Sequence, residues 1–197
     1  MLLLKNFILA SRSPRRRLLL AQIGLEPEII PCEIDEELDP SRSPAENATS
    51  LALQKAKTVA SGISSGIVLG ADTIVALDGH MLGKPIDHDD AVRMLEMLSG
   101  RTHTVATGFA LIDRPSDRYV TGVEETRVTF RAIPRNEIDE YIAGGSPMDK
   151  AGAYGIQDDY GAVFVTRVEG CFYNVVGLPL SRFYSTLGEF QRNLSIS

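Results

Sequence analysis

Ile67-Val68-Leu69-Gly70-Ala71-Asp72-Thr73-Ile74-Val75-Ala76-Leu77 is β-rich and nearly all apolar, broken only around Gly70-Ala71-Asp72. Such a run reads as a strand. Asp78-Gly79 follows and reads as a hairpin turn. Upstream, Ser43-Pro44-Ala45-Glu46 is a capping box with proline in the first turn. It opens a helix to about residue 60 with an apolar stripe at Ala48, Leu51, Ala52, Ala56 and Val59. Downstream, residues 87–98 read as a helix with Met94, Leu95 and Leu98 inward, closed by Gly100. Residues 102–113 and 119–131 read as long strands joined by the turn Arg114-Pro115-Ser116-Asp117.

At the amino end, residues 7–10 form a short apolar run that reads as a strand. Ser13-Pro14 signals a helix start, with Ser13 as N-cap, and Gly24 suits its C-terminal cap. Residues 28–30 read as a second strand, and 32–39 as an acidic loop. Residues 136–143 form a short helix, and 144–161 a glycine-rich loop. Residues 162–168 and 172–176 read as a hairpin around Glu169-Gly170. A last amphipathic helix over 180–192 places Leu180, Phe183, Tyr184, Leu187 and Phe190 on one face. No linker, repeat or low-complexity segment interrupts the chain, so residues 1–197 are expected to form a single domain. Helices alternate with strands, yet several strand pairs are hairpins. The expected fold is therefore α/β, with a mixed sheet flanked by helices.

Composition narrows the function. Hydrophobic residues make up 44% and charged residues 23% of the 197, which is ordinary for a globular chain. The formal net charge of −6 argues against a general nucleic-acid binder, which needs a dominant basic face. No stretch reaches the roughly 20 apolar residues of a membrane span. The amino-terminal apolar residues precede their basic cluster, the reverse of a signal peptide. Two cysteines, Cys32 and Cys171, suggest reduced thiols rather than a disulfide scaffold. The cytoplasm is the expected location.

Several residues sit badly with structure alone. Arg12, Arg15, Arg16 and Arg17 crowd the start of the first helix, where the dipole disfavours cations and free N–H groups attract anions. They form either a solvated basic turn or a polyphosphate site. Asp72 lies inside an apolar strand and needs a cation or hydrogen bonds, or else a strand-end position. Lys55 falls in the stripe of its helix, where alone it reads as snorkelling at the stripe's edge. Lys84, in Gly83-Lys84-Pro85, would alone be an ordinary loop lysine. Among the acids Glu33, Asp35, Glu36, Glu37 and Asp39, one could join Asp72 at a Mg²⁺ ion; periodicity does not choose which. Gln157 ends a loop, and its amide could pair with the uracil or thymine edge, or simply face solvent. No P-loop, Gly-x-Gly-x-x-Gly, His-Glu-x-x-His or Gly-x-Ser-x-Gly motif is present.

Taken in order, the segments resemble the Maf family of nucleoside triphosphate pyrophosphatases. The resemblance is carried by Ala10-Ser11-Arg12-Ser13-Pro14-Arg15-Arg16, Gly70-Ala71-Asp72-Thr73-Ile74-Val75 and Gly83-Lys84-Pro85. It continues in Leu98-Ser99-Gly100-Arg101-Thr102-His103, in Asp149-Lys150-Ala151-Gly152-Ala153-Tyr154-Gly155-Ile156-Gln157 and in Asn174-Val175-Val176-Gly177-Leu178-Pro179-Leu180. It implies a curved mixed sheet like that of inosine triphosphatases. It also implies cleavage of a nucleoside triphosphate to the monophosphate and pyrophosphate, aided by Mg²⁺ or Mn²⁺. By resemblance, the catalytic aspartate is Asp72, and Glu36 joins it at the metal. The phosphate-binding residues are Ser11, Arg15, Arg16, Lys55 and Lys84, and base choice falls on Arg15, Thr73 and Gln157.

The Ala-Gly-Ala-Tyr-Gly-Ile-Gln form resembles the dTTP/UTP subgroup, with CTP and modified pyrimidine nucleotides behind. The alternatives are a 7-methyl-GTP or modified-purine pyrophosphatase, whose loop differs here, and a non-catalytic nucleotide-binding regulator of cell division. Family members are often dimers, although no stripe here marks an interface. Arg12 stands where a small residue is common, and Asp158-Asp159-Tyr160 where more glycine is expected.

Overall fold

The computed structural model describes residues 6–195, except 33, 158 and 159. Its elements are β1 (Phe7–Leu9), α1 (Pro14–Gln22), β2 (Glu28–Ile29), α2 (Pro44–Ala60), β3 (Gly66–Leu77), β4 (His80–Leu82), α3 (His88–Leu98), β5 (Thr102–Arg114), β6 (Tyr119–Phe130), α4 (Arg135–Ala143), β7 (Val165–Glu169), α5 (Phe172–Val176) and α6 (Leu180–Ser195). One seven-stranded mixed sheet runs β2-β1-β3-β5-β6-β7, with β4 hairpinned onto β3. β1 lies parallel to both β2 and β3; the remaining pairs are antiparallel.

β3 is the axis of the molecule. One edge pairs with β5 from Gly66 to Ala76. The other edge is shared: β1 covers Ile67 to Leu69 and β4 covers Val75 to Leu77. Among the described residues no strand fills the interval between them, so the edge of β3 is open at Asp72 and Thr73. β-alternation sends these two side chains to opposite faces of the sheet.

α2 covers the Asp72 face. Its Ala56, Val59 and Ala60 pack with Ile8, Ala10, Val68, Ala110 and Ile112. Two glycines bring it close. A Cβ on Gly70 would lie 2.2 Å from the Ala52 carbonyl oxygen, and one on Gly108 would lie 2.5 Å from the Ala48 carbonyl carbon. Gly108 is the cross-strand neighbour of Asp72. The opposite face carries Leu9, Leu69, Val75, Val105, Phe109 and Leu111, covered by Leu95 of α3 and Phe183 and Leu187 of α6. Phe109 meets Phe183 edge-on at 5.9 Å between ring centroids.

The helix starts follow their local signals. Ser13 caps α1 with proline in the first turn, and Ser43 and Glu46 of α2 form the reciprocal capping box. Gly24 lies just past the C-cap Ile23 with φ +75°. The carboxyl third departs from expectation. Residues 172–176 are the short helix α5, not a strand, and β7 pairs with β6 alone. Gly170, at φ +130°, turns the chain out of the sheet, where a Cβ would strike Thr126 Oγ1 at 2.9 Å. Residues 160–164 and much of 146–153 wind into 3₁₀ turns rather than strand or open loop. Tyr184 is exposed while Leu180, Phe183, Leu187 and Phe190 are buried, because it flanks the stripe those four define.

Candidate functional site

The open edge of β3 gives onto a cleft of about 480 Å³, within the range of small-molecule sites. Every residue that the resemblance assigns to catalysis, phosphate, metal or base lines it: Ser11, Arg15, Arg16, Glu36, Lys55, Asp72, Thr73, Lys84 and Gln157; of the basic cluster, Arg12 also lines it, whereas Arg17 does not and is exposed. Among the described residues its wall carries six cations (Arg12, Arg15, Arg16, Lys55, Lys84, Lys150) against three carboxylates (Glu36, Asp72, Asp149). A local positive excess in a chain of net charge −6 is the electrostatics of an anion site.

On the Asp72 face, charges alternate. Asp72 and Lys55 are both buried, and Lys55 Nζ lies 2.5 Å from Asp72 Oδ1 and 2.6 Å from Glu36 Oε1. Lys84 Nζ lies 3.3 Å from Glu36 Oε2. Burial pushes the Glu36 carboxyl up, but its contacts with Lys55 and Lys84 outweigh that and hold it below the ordinary carboxylate value. Lys55 therefore meets acids rather than snorkelling, and the glycine-enabled approach of α2 delivers it. Gly70 accordingly serves the helix, not the close approach of a ligand that a glycine beside Asp72 would suggest.

Of the described acids in the 32–39 loop, Glu36 alone enters the cleft; Asp39 instead bonds Ser41. Asn47 pins that loop by accepting from Asp39 N–H at 2.9 Å and donating to Asp39 C=O at 2.9 Å. Glu33 lies outside the described residues, as do Asp158 and Asp159.

On the Thr73 face, Arg16 is buried and makes no carboxylate ion pair among the described residues. Its Nε donates to Gly177 C=O at 2.9 Å, Nη1 to Ser11 Oγ at 3.2 Å and Nη2 to Thr73 Oγ1 at 3.0 Å. Burial lowers its pKa, opposed by the charge of Asp72, yet a guanidinium remains a cation at any physiological pH. A buried cation without an acid partner fits an arriving phosphate. Much of its fork is nonetheless spent on framing Ser11 and Thr73.

Arg15, by contrast, reaches across the cleft mouth to Asp149, with Nη1 to Oδ2 at 2.7 Å and Nη2 to the main-chain oxygen at 3.2 Å. Burial raises the Asp149 carboxyl, but hydrogen bonds from Lys150 and Arg15 carry it below its ordinary value.

Gln157 presents an amide whose Oε1 and Nε2 are both buried and, among the described residues, unpartnered. Orphaned buried amides are costly, so this one fits a ligand edge offering a donor beside an acceptor. Tyr154, directly before Gly155-Ile156, is anchored by His103 Nε2 at 2.7 Å, and Gly155 N–H by the Tyr141 hydroxyl at 3.2 Å. Gly152 N–H donates to Gly83 C=O at 3.0 Å, tying this segment to the Lys84 loop.

Sequence reading gave no role to Lys150, Thr107 or Asn174. Lys150 shares Asp149 with Arg15. Thr107 and Asn174 are buried polar residues in apolar stretches, and Asn174 also opens one of the segments that carry the family resemblance.

Among the described residues no three His, Cys, Asp or Glu side chains converge as a metal cage. Asp72 and Glu36 are close enough to share one ammonium, and two carboxylates completed by phosphate oxygens are the donor set Mg²⁺ takes. The residues fit such an ion. No helix among the described residues is long and apolar enough to cross a membrane.

The model of the Maf-like protein family matches residues 6–190. A dTTP/UTP pyrophosphatase of Carboxydothermus hydrogenoformans is 50% identical over 182 residues, covering 92% of this chain and 97% of its own. One from Bacillus cereus is 49% identical over 187 residues, covering 95% and 91%, and one from Bacillus cytotoxicus 47% over 192 residues, covering 98% and 99%. With the family model spanning nearly the whole chain and relatives of this identity at both ends of it, the protein belongs to the Maf family.

Proposed function

We propose that this chain is a nucleoside triphosphate pyrophosphatase that hydrolyses dTTP and UTP to the monophosphate and pyrophosphate. The observation that carries the reading is the sharing of Lys55 by Asp72 and Glu36 in a cleft with excess positive charge. The names of its relatives point to the same base class.

Arg15, Arg16, Lys84 and the Ser11 hydroxyl hold the phosphates, with Lys55 joining them as its acids turn to the substrate. Asp72 accepts a proton from the water that attacks the α-phosphorus. The bond between the α-phosphorus and its bridging oxygen breaks, and pyrophosphate leaves with the electron pair. Gln157 selects the base edge. Asp72 and Glu36 would hold a Mg²⁺ or Mn²⁺ ion, which supplies charge neutralisation on the triphosphate. The substrate class and the unbridged Cys32 and Cys171 favour the cytoplasm.

The test is a panel of nucleoside triphosphates with Mg²⁺, with both products identified. UTP and dTTP should yield monophosphate and pyrophosphate fastest. No product from any nucleotide would leave a binding protein and sink the reading; preference for 7-methyl-GTP would move the chain to another substrate class.

A further inference from the structure

Three hydrogen bonds run from the cleft wall into the core, and only one direction satisfies all of them. Arg16 Nη2 is 3.0 Å from Thr73 Oγ1, which is 2.9 Å from Thr107 Oγ1, which is 2.9 Å from the main-chain oxygen of Asn174. A guanidinium only donates and a carbonyl only accepts, while a hydroxyl has one hydrogen and two acceptor sites. The Thr107 hydrogen therefore goes to Asn174, so Thr107 must accept from Thr73. The Thr73 hydrogen is spent inward, and one of its acceptor sites is taken by Arg16. What Thr73 has left for the cleft is acceptor capacity alone.

The frame behind this is rigid. Thr73 and Thr107 are directly paired across β3 and β5. Thr107 and Asn174 are both fully buried. Asn174 Nδ2 donates to Val105 C=O and to Thr126 Oγ1, each at 2.9 Å, which locks α5 against β5 and β6. Gly177, at the end of α5, holds the other side of the Arg16 fork. Thr107 does not line the cleft and acts only through Thr73.

We propose that Thr107 is a positioning residue for specificity: it makes Thr73 an obligate acceptor, so the cleft favours nucleotides that offer a donor hydrogen at that point. The inference rests on the pyrophosphatase reading above. Two parts common to UTP and dTTP carry such a hydrogen. Uracil and thymine have it at N3, where cytosine has none, and the sugar has it on its 3′-hydroxyl. A site built to hydrogen-bond a donor rejects the analogue lacking it because its own polar group is left unpaired.

The experiment measures kcat/KM for the wild type, Thr107→Val and Thr107→Ser in two arms, UTP against CTP and dTTP against 2′,3′-dideoxy-TTP. In Thr107→Val the Thr73 hydroxyl loses its inward acceptor and is free to turn and donate. One of the two ratios should then fall by about tenfold, the arm naming the donor, while kcat on UTP changes less than about threefold. Thr107→Ser should restore the ratio. Thr107→Ala carries the same expectation should the valine variant not fold. Both ratios within about twofold of wild type in a folded variant, or equal loss toward all four nucleotides, would overturn the proposal. Failure of the wild type to release pyrophosphate from any nucleotide would instead overturn the reading beneath it.

Discussion

Where β3 passes the cleft, its two faces are built from different materials. The Asp72 face is a chain of charges, Asp72–Lys55–Glu36–Lys84, each satisfied by its opposite. The Thr73 face is a network of hydroxyls, carbonyls and one amide around the single cation Arg16. Ion pairs can exchange partners when a polyphosphate arrives, because each lysine can trade a carboxylate for a phosphate oxygen. Directed hydrogen bonds cannot be traded without stranding a buried group. The charged face therefore suits chemistry and capture, and the neutral face suits geometry and selection.

The sharpest way to break this contrast is Asp72→Asn, which keeps shape and removes charge and basicity. It should fold, still bind nucleotide, and lose on the order of 10²-fold or more in kcat at saturating UTP and Mg²⁺, the scale of a general base. A loss below about threefold would make Asp72 structural. Glu36→Gln should lose less, and raising Mg²⁺ should recover part of it if Glu36 acts through metal affinity.

Next in size is a pH effect confined to the neutral face. His103 lies on that face, and burial pushes its pKa down to about 4 from about 6.5. The unfolded chain thus takes up a proton at this site before the folded chain does. Its share of stability is full above about pH 6.5 and is lost as pH falls toward 4, on the order of 3 kcal/mol in total. Thermal unfolding from pH 7.5 to 4 should show the decline, and His103→Gln should flatten it. His80 and His88 are exposed and serve as controls. Acid loss of the Glu36 contacts belongs to lower pH, since its carboxyl sits below the ordinary value.

Arg15→Ala and Lys84→Ala should each cost roughly tenfold in kcat/KM, the cost of one charge-assisted contact. Near wild-type values in both would remove the phosphate cradle. Smallest is Gln157→Ala, expected to raise KM for UTP severalfold and narrow the UTP/GTP ratio while turnover persists, because a lost neutral pair costs about 1 kcal/mol. An unchanged ratio would take Gln157 out of base selection.

What the sequence disclosed tracks how local the determinant was. The caps at Ser13 and Ser43 and the Asp78-Gly79 hairpin lie within a few residues of what they control, and each was readable. Asp72 announced itself as a carboxylate in an apolar strand. Lys55 was ambiguous because its partner depends on how near α2 lies to the sheet. Gly70 and Gly108, 38 positions apart, set that distance. Glu36 was chosen among its acidic neighbours by resemblance alone, since a loop has no period. Residues 172–176 read as a strand because four of the five are aromatic or β-branched, which favours a strand locally. Asn174, bonding Val105 and Thr126 far away in sequence, overrides that preference.

The vacant interval on the edge of β3 carries a consequence for how these molecules behave in a crowd. An unpaired strand edge ordinarily invites a neighbouring chain to extend the sheet, the first step toward aggregation. Here the vacancy is bracketed end to end by β1 and β4, which stop at Leu69 and begin again opposite Val75. At about 3.3 Å per residue the five positions 70–74 span about 16 Å, so a strand added there could pair over no more than five residues before meeting β1 or β4. The brackets thus cap how far a neighbouring chain could extend the sheet, a limit that a small molecule in the same opening does not meet.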